Sequence, residues 1–259
     1  MTTHTLDRLA AQPHQRAGAA GFRLALFAAL VFNLASGWSF VFLANFRIGL
    51  PILDGPSRMP IVAALAIDLA LVTAFALHHS VMARPGPKAL LARQLNPAFE
   101  RPLYVLCAAL ALIGIMGLWQ PIPIALWTIT AAPLRWAIWL VYGIGWILVL
   151  AALFAIDAFE FLGFRQTLAA WRGDVVAAPA FKTPWLYRIV RHPMQLGLLL
   201  AFWATPDMTV GRLVFAGAMT LYMLGGLGFE ERALLRAHGE AYRAYQRRVP
   251  MLLPLTKWR

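Results

Sequence analysis

The stretch Trp136-Ala-Ile-Trp-Leu-Val-Tyr-Gly-Ile-Gly-Trp-Ile-Leu-Val-Leu-Ala-Ala-Leu-Phe-Ala-Ile156 holds 21 residues and no charge. At 1.5 Å per residue, a helix of this length reaches about 30 Å, the hydrocarbon thickness of a bilayer. Working outward, Leu24–Phe46, Ile61–Ala83 and Pro102–Gln120 satisfy the same condition, and Leu213–Phe229 is a further apolar run. Met194–Pro206 is apolar but too short for an upright span. It reads as a tilted or broken helix, or as one arm of a re-entrant hairpin. The expected fold class is therefore all-α: a polytopic membrane helical bundle of about six transmembrane segments, the fifth short.

Composition agrees. Of 259 residues, 61% are apolar and 13% charged, and the mean hydropathy is +0.66. Soluble domains carry roughly 25% charged residues. These values exclude a disordered chain, a collagen and an ordinary water-soluble enzyme. The net charge of +12 does not point to nucleic acid, because the basic residues flank apolar runs rather than covering a soluble face. The single cysteine, Cys107, excludes an intrachain disulfide and a CxxC metal or redox site, and reads as a small core hydrophobe. Leu24–Phe46 is too long for a signal-peptide core and reads as an anchor.

Charge placement sets the expected orientation. With a cytoplasmic N-terminus, the inward regions carry Arg8, Arg16 and Arg23; Arg84, Lys88, Arg93 and Arg101; Arg165, Arg172, Lys182, Arg188 and Arg191; and Arg232, Arg236, Arg243, Arg247, Arg248, Lys257 and Arg259. These are 19 of the 23 basic residues, leaving Arg47, Arg58, Arg135 and Arg212 outside. The bias implies an even number of crossings with both termini cytoplasmic. No repeat or second domain is visible. One domain over residues 1–259 is expected, with a cytoplasmic tail (1–23) and two larger cytoplasmic segments (157–193 and 230–259).

Unusual polar residues concentrate in those segments. In Tyr187-Arg188-Ile189-Val190-Arg191-His192-Pro193, the proline suits a first helical turn and places Arg191 and His192 at its positive end, which favours an anion. The alternative is an interfacial anchor, with Arg191 snorkelling to headgroups. Glu230-Glu231 follows the last apolar run directly. At 100° per residue, Glu231, His238, Tyr242 and Tyr245 fall within about 60° on one stripe, unless Gly239 breaks the helix. An amphipathic interfacial helix is the alternative there.

His78-His79-Ser80 ends the second apolar run, and Asp68 lies on the face of His79. Asp68 is either functional or bonded to a neighbouring helix. The histidine spacing gives no metal motif, and no metal is expected. The loop Phe159–Gln166, followed by Phe181-Lys182-Thr183-Pro184, is placed to cover a site near Arg191. There is no G-x-G-x-x-G dinucleotide loop, P-loop or G-x-S-x-G elbow. Gly225-Gly226-Leu227-Gly228 suits close helix packing.

Arg191-His192-Pro193-x-x-x-Gly197, about 30 apolar residues, then Glu230-Glu231-x-x-Leu234 with Gly239, Tyr242, Tyr245 and Val249-Pro250 resembles one pattern. It is that of the isoprenylcysteine carboxyl methyltransferase superfamily of membrane methyltransferases, which includes phospholipid N-methyltransferase-like and NnrU-like proteins. Within it, His79–Arg84, Glu100-Arg101-x-x-Tyr104-Val105, Gly163–Gln166, Ala201–Pro206 and Arg248–Pro254 look like the bacterial methanethiol S-methyltransferase family. This similarity runs from about residue 20 to residue 255. Gln195 departs from the tyrosine common in the superfamily.

The resemblance implies methyl transfer from S-adenosylmethionine to a small thiol without a Rossmann domain, yielding dimethyl sulfide and S-adenosylhomocysteine. The implied cofactor-binding residues are Arg165, Gln166, Tyr187, Arg191, His192, Pro193, Gln195, Gly197, Glu230, Glu231, Tyr242, Tyr245 and Arg248. Arg191 suits the cofactor carboxylate. His192, Glu230, Glu231, Tyr242 and Tyr245 suit its ammonium, ribose and adenine edge. A small thiol is mostly protonated at neutral pH, so a base is needed, and His79 and His192 are the candidates. The implied location is a bacterial inner membrane with the site facing the cytoplasm. Two alternatives stay open: a larger acceptor, such as a prenylcysteine carboxylate or lipid amine, and a non-enzymatic NnrU-like or nurim-like protein.

Overall fold

A computed structural model describes residues 3–84, 86–87, 95–174 and 181–254. Lys88, Arg93, Lys257 and Arg259 of the basic set lie outside the described residues. The helices are α1 (Thr3–Ala44), α2 (Ile61–Ala83), α3 (Glu100–Leu118), α4 (Ala132–Ala155), α5 (Ala158–Phe161), α6 (Phe164–Arg172), α7 (Pro193–Trp203) and α8 (Val210–Arg248). Two strands, β1 (Ala125–Thr128) and β2 (Asp207–Thr209), and two 3-10 turns, Pro97–Phe99 and Trp185–Arg188, complete the described elements.

Among the described residues, five helical stretches are long and apolar enough to cross a membrane: Gly18–Ala44, Ile61–Met82, Glu100–Leu118, Ala132–Ala155 and Val210–Arg248. Their outward side chains are large and apolar, among them Val62, Trp136, Phe154 and Leu221. Lipid, not water, suits such faces. The short apolar run becomes α7, with 11 residues. At 1.5 Å per residue it covers about 16 Å, half a bilayer's hydrocarbon.

The sheet is the departure from an all-helical expectation. β1 and β2 pair antiparallel, with Ala125 opposite Thr209, Trp127 opposite Met208 and Thr128 opposite Asp207. Strands of four and three residues carry too little alternation to be read from sequence. They bind the Gln120–Pro133 loop to the entry of α8, reinforced by Gly211 N–H donating to Ile122 O at 3.0 Å.

The chain forms two compact units. One comprises Met1–Gly37, Leu77–Gly114 and Asp157–Ala180; the other comprises Trp38–Ala76, Ile115–Ile156 and Phe181–Arg259. In the second unit, α4 and α7 meet through glycines. A Cβ on Gly197 would stand 2.5 Å from Gly145 O, and one on Gly145 would stand 2.7 Å from Gly197 O. Only bare backbone allows this approach, as at small-residue crossings in membranes. Asp68 is fully buried, and its Oδ1 accepts from Gln120 N–H at 2.8 Å. It thus ties α2 to the chain just past α3, while its Oδ2 is buried with no hydrogen-bond partner among the described residues.

Two of the four arginines outside the basic segments carry structure in the same unit. Arg135 forks onto Asp207 at 2.9 Å through both terminal nitrogens. Arg212, 1% exposed, donates to Asp54 through Nε at 3.0 Å and to Leu43 O through Nη2 at 2.8 Å. A buried guanidinium persists only when paired and hydrogen-bonded in this way. Asp54 also accepts from Asn45 and from Thr209.

In the first unit, Gly18 and Gly21 lie against α6 and the Pro97–Phe99 turn, and Phe22 contacts Phe164 and Trp171 edge-on or tilted at 5.7 and 5.9 Å. Asp157 caps α5 by accepting from Phe159 N–H and Glu160 N–H and pairs with Arg165. Burial pushes its carboxyl up, but the bonds from Arg165 and those two N–H groups outweigh it and hold the group below the usual range.

Candidate active site where α7 begins and α8 turns polar

α7 opens at Pro193, with His192 as its N-cap at φ −127° and ψ 68°. The chain before it is strapped to the C-terminal segment: Arg191 N–H donates to Pro250 O at 2.9 Å and His192 N–H to Met251 O at 3.1 Å. α8 continues past its apolar part, which ends at Phe229, into Glu230, Glu231 and the tyrosine-bearing segment. It bends at Gly239, whose φ of 56° and ψ of −129° are open to glycine and strained for other residues.

Glu231 is the hub. Arg191 grips it as a fork, Nε to Oε1 and Nη2 to Oε2, each at 2.9 Å. His192 Nε2 lies 2.7 Å from Oε1, Tyr242 Oη donates to Oε1 at 2.8 Å, and Gln246 Nε2 donates to Oε2 at 2.6 Å. The remaining guanidinium nitrogen of Arg191 donates to Val249 O at 2.6 Å. Arg191 and Glu231 are each 11% exposed, and His192 is 4% exposed. A carboxylate only accepts, so four donor side chains satisfy it. Bonds between charged partners are roughly twice as strong as neutral ones, which sustains this pair away from water.

The same logic fixes the imidazole. Nε2 carries a proton to meet Glu231, so in neutral His192 the lone pair is on Nδ1. Nδ1 lies 3.9 Å from Glu230, whose side chain is half exposed. Tyr245 Oη donates to Tyr187 O at 2.5 Å. Burial, then the nearness of Glu230 and Tyr245, push the Tyr187 phenol above its ordinary range, so it stays neutral. Phe181 packs against His238, Tyr242 and Tyr245 with ring centroids 5.1, 5.7 and 5.5 Å away.

Tyr187, Arg191, His192, Pro193, Glu230, Glu231, Tyr242 and Tyr245 are thus gathered in one place. Arg191 faces the protein, not solvent. Gly197 is taken up by the α4 crossing, Gln195 is half-buried, and Arg248 is exposed and donates to Ala244 O on its own helix. His238 joins the aromatic cluster rather than Glu231. Arg165, Gln166 and His79 belong to the other unit. Gln166 donates to Glu160 O at 3.4 Å. His79 Nε2 lies 2.8 Å from Tyr104 Oη, with Arg101 5.4 Å from the Tyr104 ring and 5.0 Å from the Phe161 ring.

Gln246 is the hub member that sequence reading passed over. It lies 15 residues after Glu231, about 60° away at 100° per residue and about 100° from Tyr245, outside the stripe. The bend at Gly239 brings it to Glu231, and periodicity alone does not show that. Among the described residues, no three His, Cys, Asp or Glu side chains are grouped to hold a metal ion.

A protein of Mycobacterium tuberculosis named Methanethiol S-methyltransferase is 43% identical over 225 residues, covering 87% of this chain and 92% of that protein. One of the same name from a Pseudomonas species is 42% identical over 235 residues, covering 91% and 90%. Nurim of Pan troglodytes is 32% identical over 238 residues, covering 82% and 90%. No protein-family model matches the chain, and no solved structure does.

Proposed function

Since this chain belongs to the methanethiol S-methyltransferase family, we propose that it methylates a small thiol, methanethiol, using S-adenosylmethionine and releasing dimethyl sulfide and S-adenosylhomocysteine. The observation that carries this reading is similarity over about nine-tenths of those relatives' length. The Glu231 hub, where Arg191, His192, Tyr242 and Gln246 converge, supports placing the chemistry there.

The donor set suits a charged amino-acid nucleoside. The first-turn N–H groups of α7 favour a carboxylate, and the half-exposed Glu230 carboxylate favours an ammonium or a ribose diol. Arg191 supplies positive charge beside that helix end while its nitrogens hold Glu231. When bound, S-adenosylmethionine would supply the methyl group, its methyl–sulfonium bond breaking with the electron pair left on that sulfur as the thiolate sulfur bonds to the methyl carbon. His192 takes the thiol proton at Nδ1, and Glu231, bonded to Nε2–H, stabilises the imidazolium formed. Arg191, Tyr242 and Gln246 keep Glu231 in position for this. His79, bonded to Tyr104, is the second candidate base.

The proposed topology follows the basic-residue bias: both termini cytoplasmic, α7 with the extended residues after it making the short fifth of six crossings, the site at the cytoplasmic face of a bacterial inner membrane, and the whole chain one functional domain. The test is ligand stabilisation and base replacement. Saturating S-adenosylhomocysteine raises the melting temperature of the detergent-purified chain, by about 2.7 kcal/mol of stability at a hundredfold excess over Kd. His192→Ala then loses transfer while keeping this shift. No shift contradicts the cofactor reading, and full transfer by His192→Ala moves the base to His79.

A further inference from the structure

The segment 182–189, just ahead of α7, divides its side chains between two environments. Leu186 is buried, as is Val190 after it, and the Tyr187 carbonyl accepts from Tyr245. Arg191 also faces inward, held by Glu231 and Val249. Trp185 and Ile189, four residues apart, stand 62% and 53% exposed. Lys182 and Arg188 beside them are exposed too, and no acid occurs between 182 and 189.

An exposed tryptophan and isoleucine, with Lys182 and Arg188 close by in the chain, are costly in water. The same four groups suit the level of lipid headgroups, where an indole ring lies in the interface and cations meet phosphate. Two neighbouring features mark that level. α7 starts at Pro193, four residues after Ile189, and the apolar part of α8 ends at Phe229, whose ring lies 5.7 Å from the Arg232 guanidinium. We propose that residues 182–189 form a docking surface for anionic phospholipid: Trp185 and Ile189 enter the interface while Lys182 and Arg188 pair with the headgroups. The anchoring arginine of this turn is Arg188, and Arg191 serves the site. This goes beyond methyl transfer and is read out without it.

The test uses the full chain with Cys107→Ala, in nanodiscs of mixed phosphatidylcholine and phosphatidylglycerol. A nitroxide label on Ile189→Cys collides more with dissolved oxygen than with a water-soluble nickel chelate; the reverse order overturns the proposal. Lys182→Gln with Arg188→Gln, shown to be folded by circular dichroism, lowers the preference for spin-labelled phosphatidylglycerol over phosphatidylcholine by roughly fivefold per cation removed. An unchanged preference overturns it equally.

Discussion

Glu230 and Glu231 are adjacent and chemically identical, yet they occupy opposite situations. Glu231 is 11% exposed and gripped by Arg191, His192, Tyr242 and Gln246, whereas Glu230 is 50% exposed beside His192. Replacing one member of a buried ion pair leaves the other charge uncompensated, at about 3–5 kcal/mol. Glu231→Gln therefore lowers the melting temperature sharply and loses methyl transfer through misfolding of the hub. Glu230→Gln stays within about 0.5 kcal/mol of the parent, as surface changes do, yet loses transfer. Thermal unfolding together with an activity assay separates the two. The sequence placed both acids at the end of an apolar run. It could not say which would be gripped, because grip depends on partners 15 residues ahead and 40 residues behind in the chain. For the same reason Arg191, legible as a cation at a helix start, was not legible as already bonded.

Among the elements, α8 and the α4–α7 crossing carry the most consequence. α8 is 39 residues long because apolar Leu213–Phe229 passes directly into a polar helix, and only Gly239 bends it. Space around Gly239 is open: a Cβ there would meet nothing within 4 Å. Gly239→Ala thus costs only backbone strain, about 1–3 kcal/mol. Gly197→Ala meets the opposite problem, since its Cβ would press on the Gly145 carbonyl. The helices must part, at about 1–3 kcal/mol of overpacking. Similar losses in melting temperature are expected, and shortening Val149 on the facing helix does not restore Gly197→Ala, because the Gly145 carbonyl at 2.5 Å and the Val149 N–H at 2.9 Å are backbone. Hydropathy located α2, α3 and α4 well, because spans of this kind are specified by length and apolarity alone. It did not reveal the β1–β2 pair or the helical extension of α1 back to Thr3, where short or mixed-polarity segments depend on tertiary partners.

Over the whole molecule, the balance of charge and apolarity was the most legible property. Few charges and, among the described residues, five spanning-length helices follow from the same composition. The exceptions to the basic-residue bias have structural causes in two of four cases, Arg135 with Asp207 and Arg212 with Asp54. Those acids lie 72 and 158 residues away in sequence. The same limit hid the full Glu231 hub: composition and periodicity tell which face a residue is on, and folding alone tells what it meets there.

The central claim is tested most directly by supplying purified protein in nanodiscs with S-adenosylmethionine carrying an isotopically labelled methyl group and a panel of acceptors. The panel comprises methanethiol, larger thiols, a prenylcysteine and a lipid amine. Dimethyl sulfide bearing one labelled methyl is expected, formed catalytically from methanethiol and absent with Glu230→Gln. Folded protein that is stabilised by S-adenosylhomocysteine but labels only the prenylcysteine or the lipid amine, or none of the panel, would contradict it.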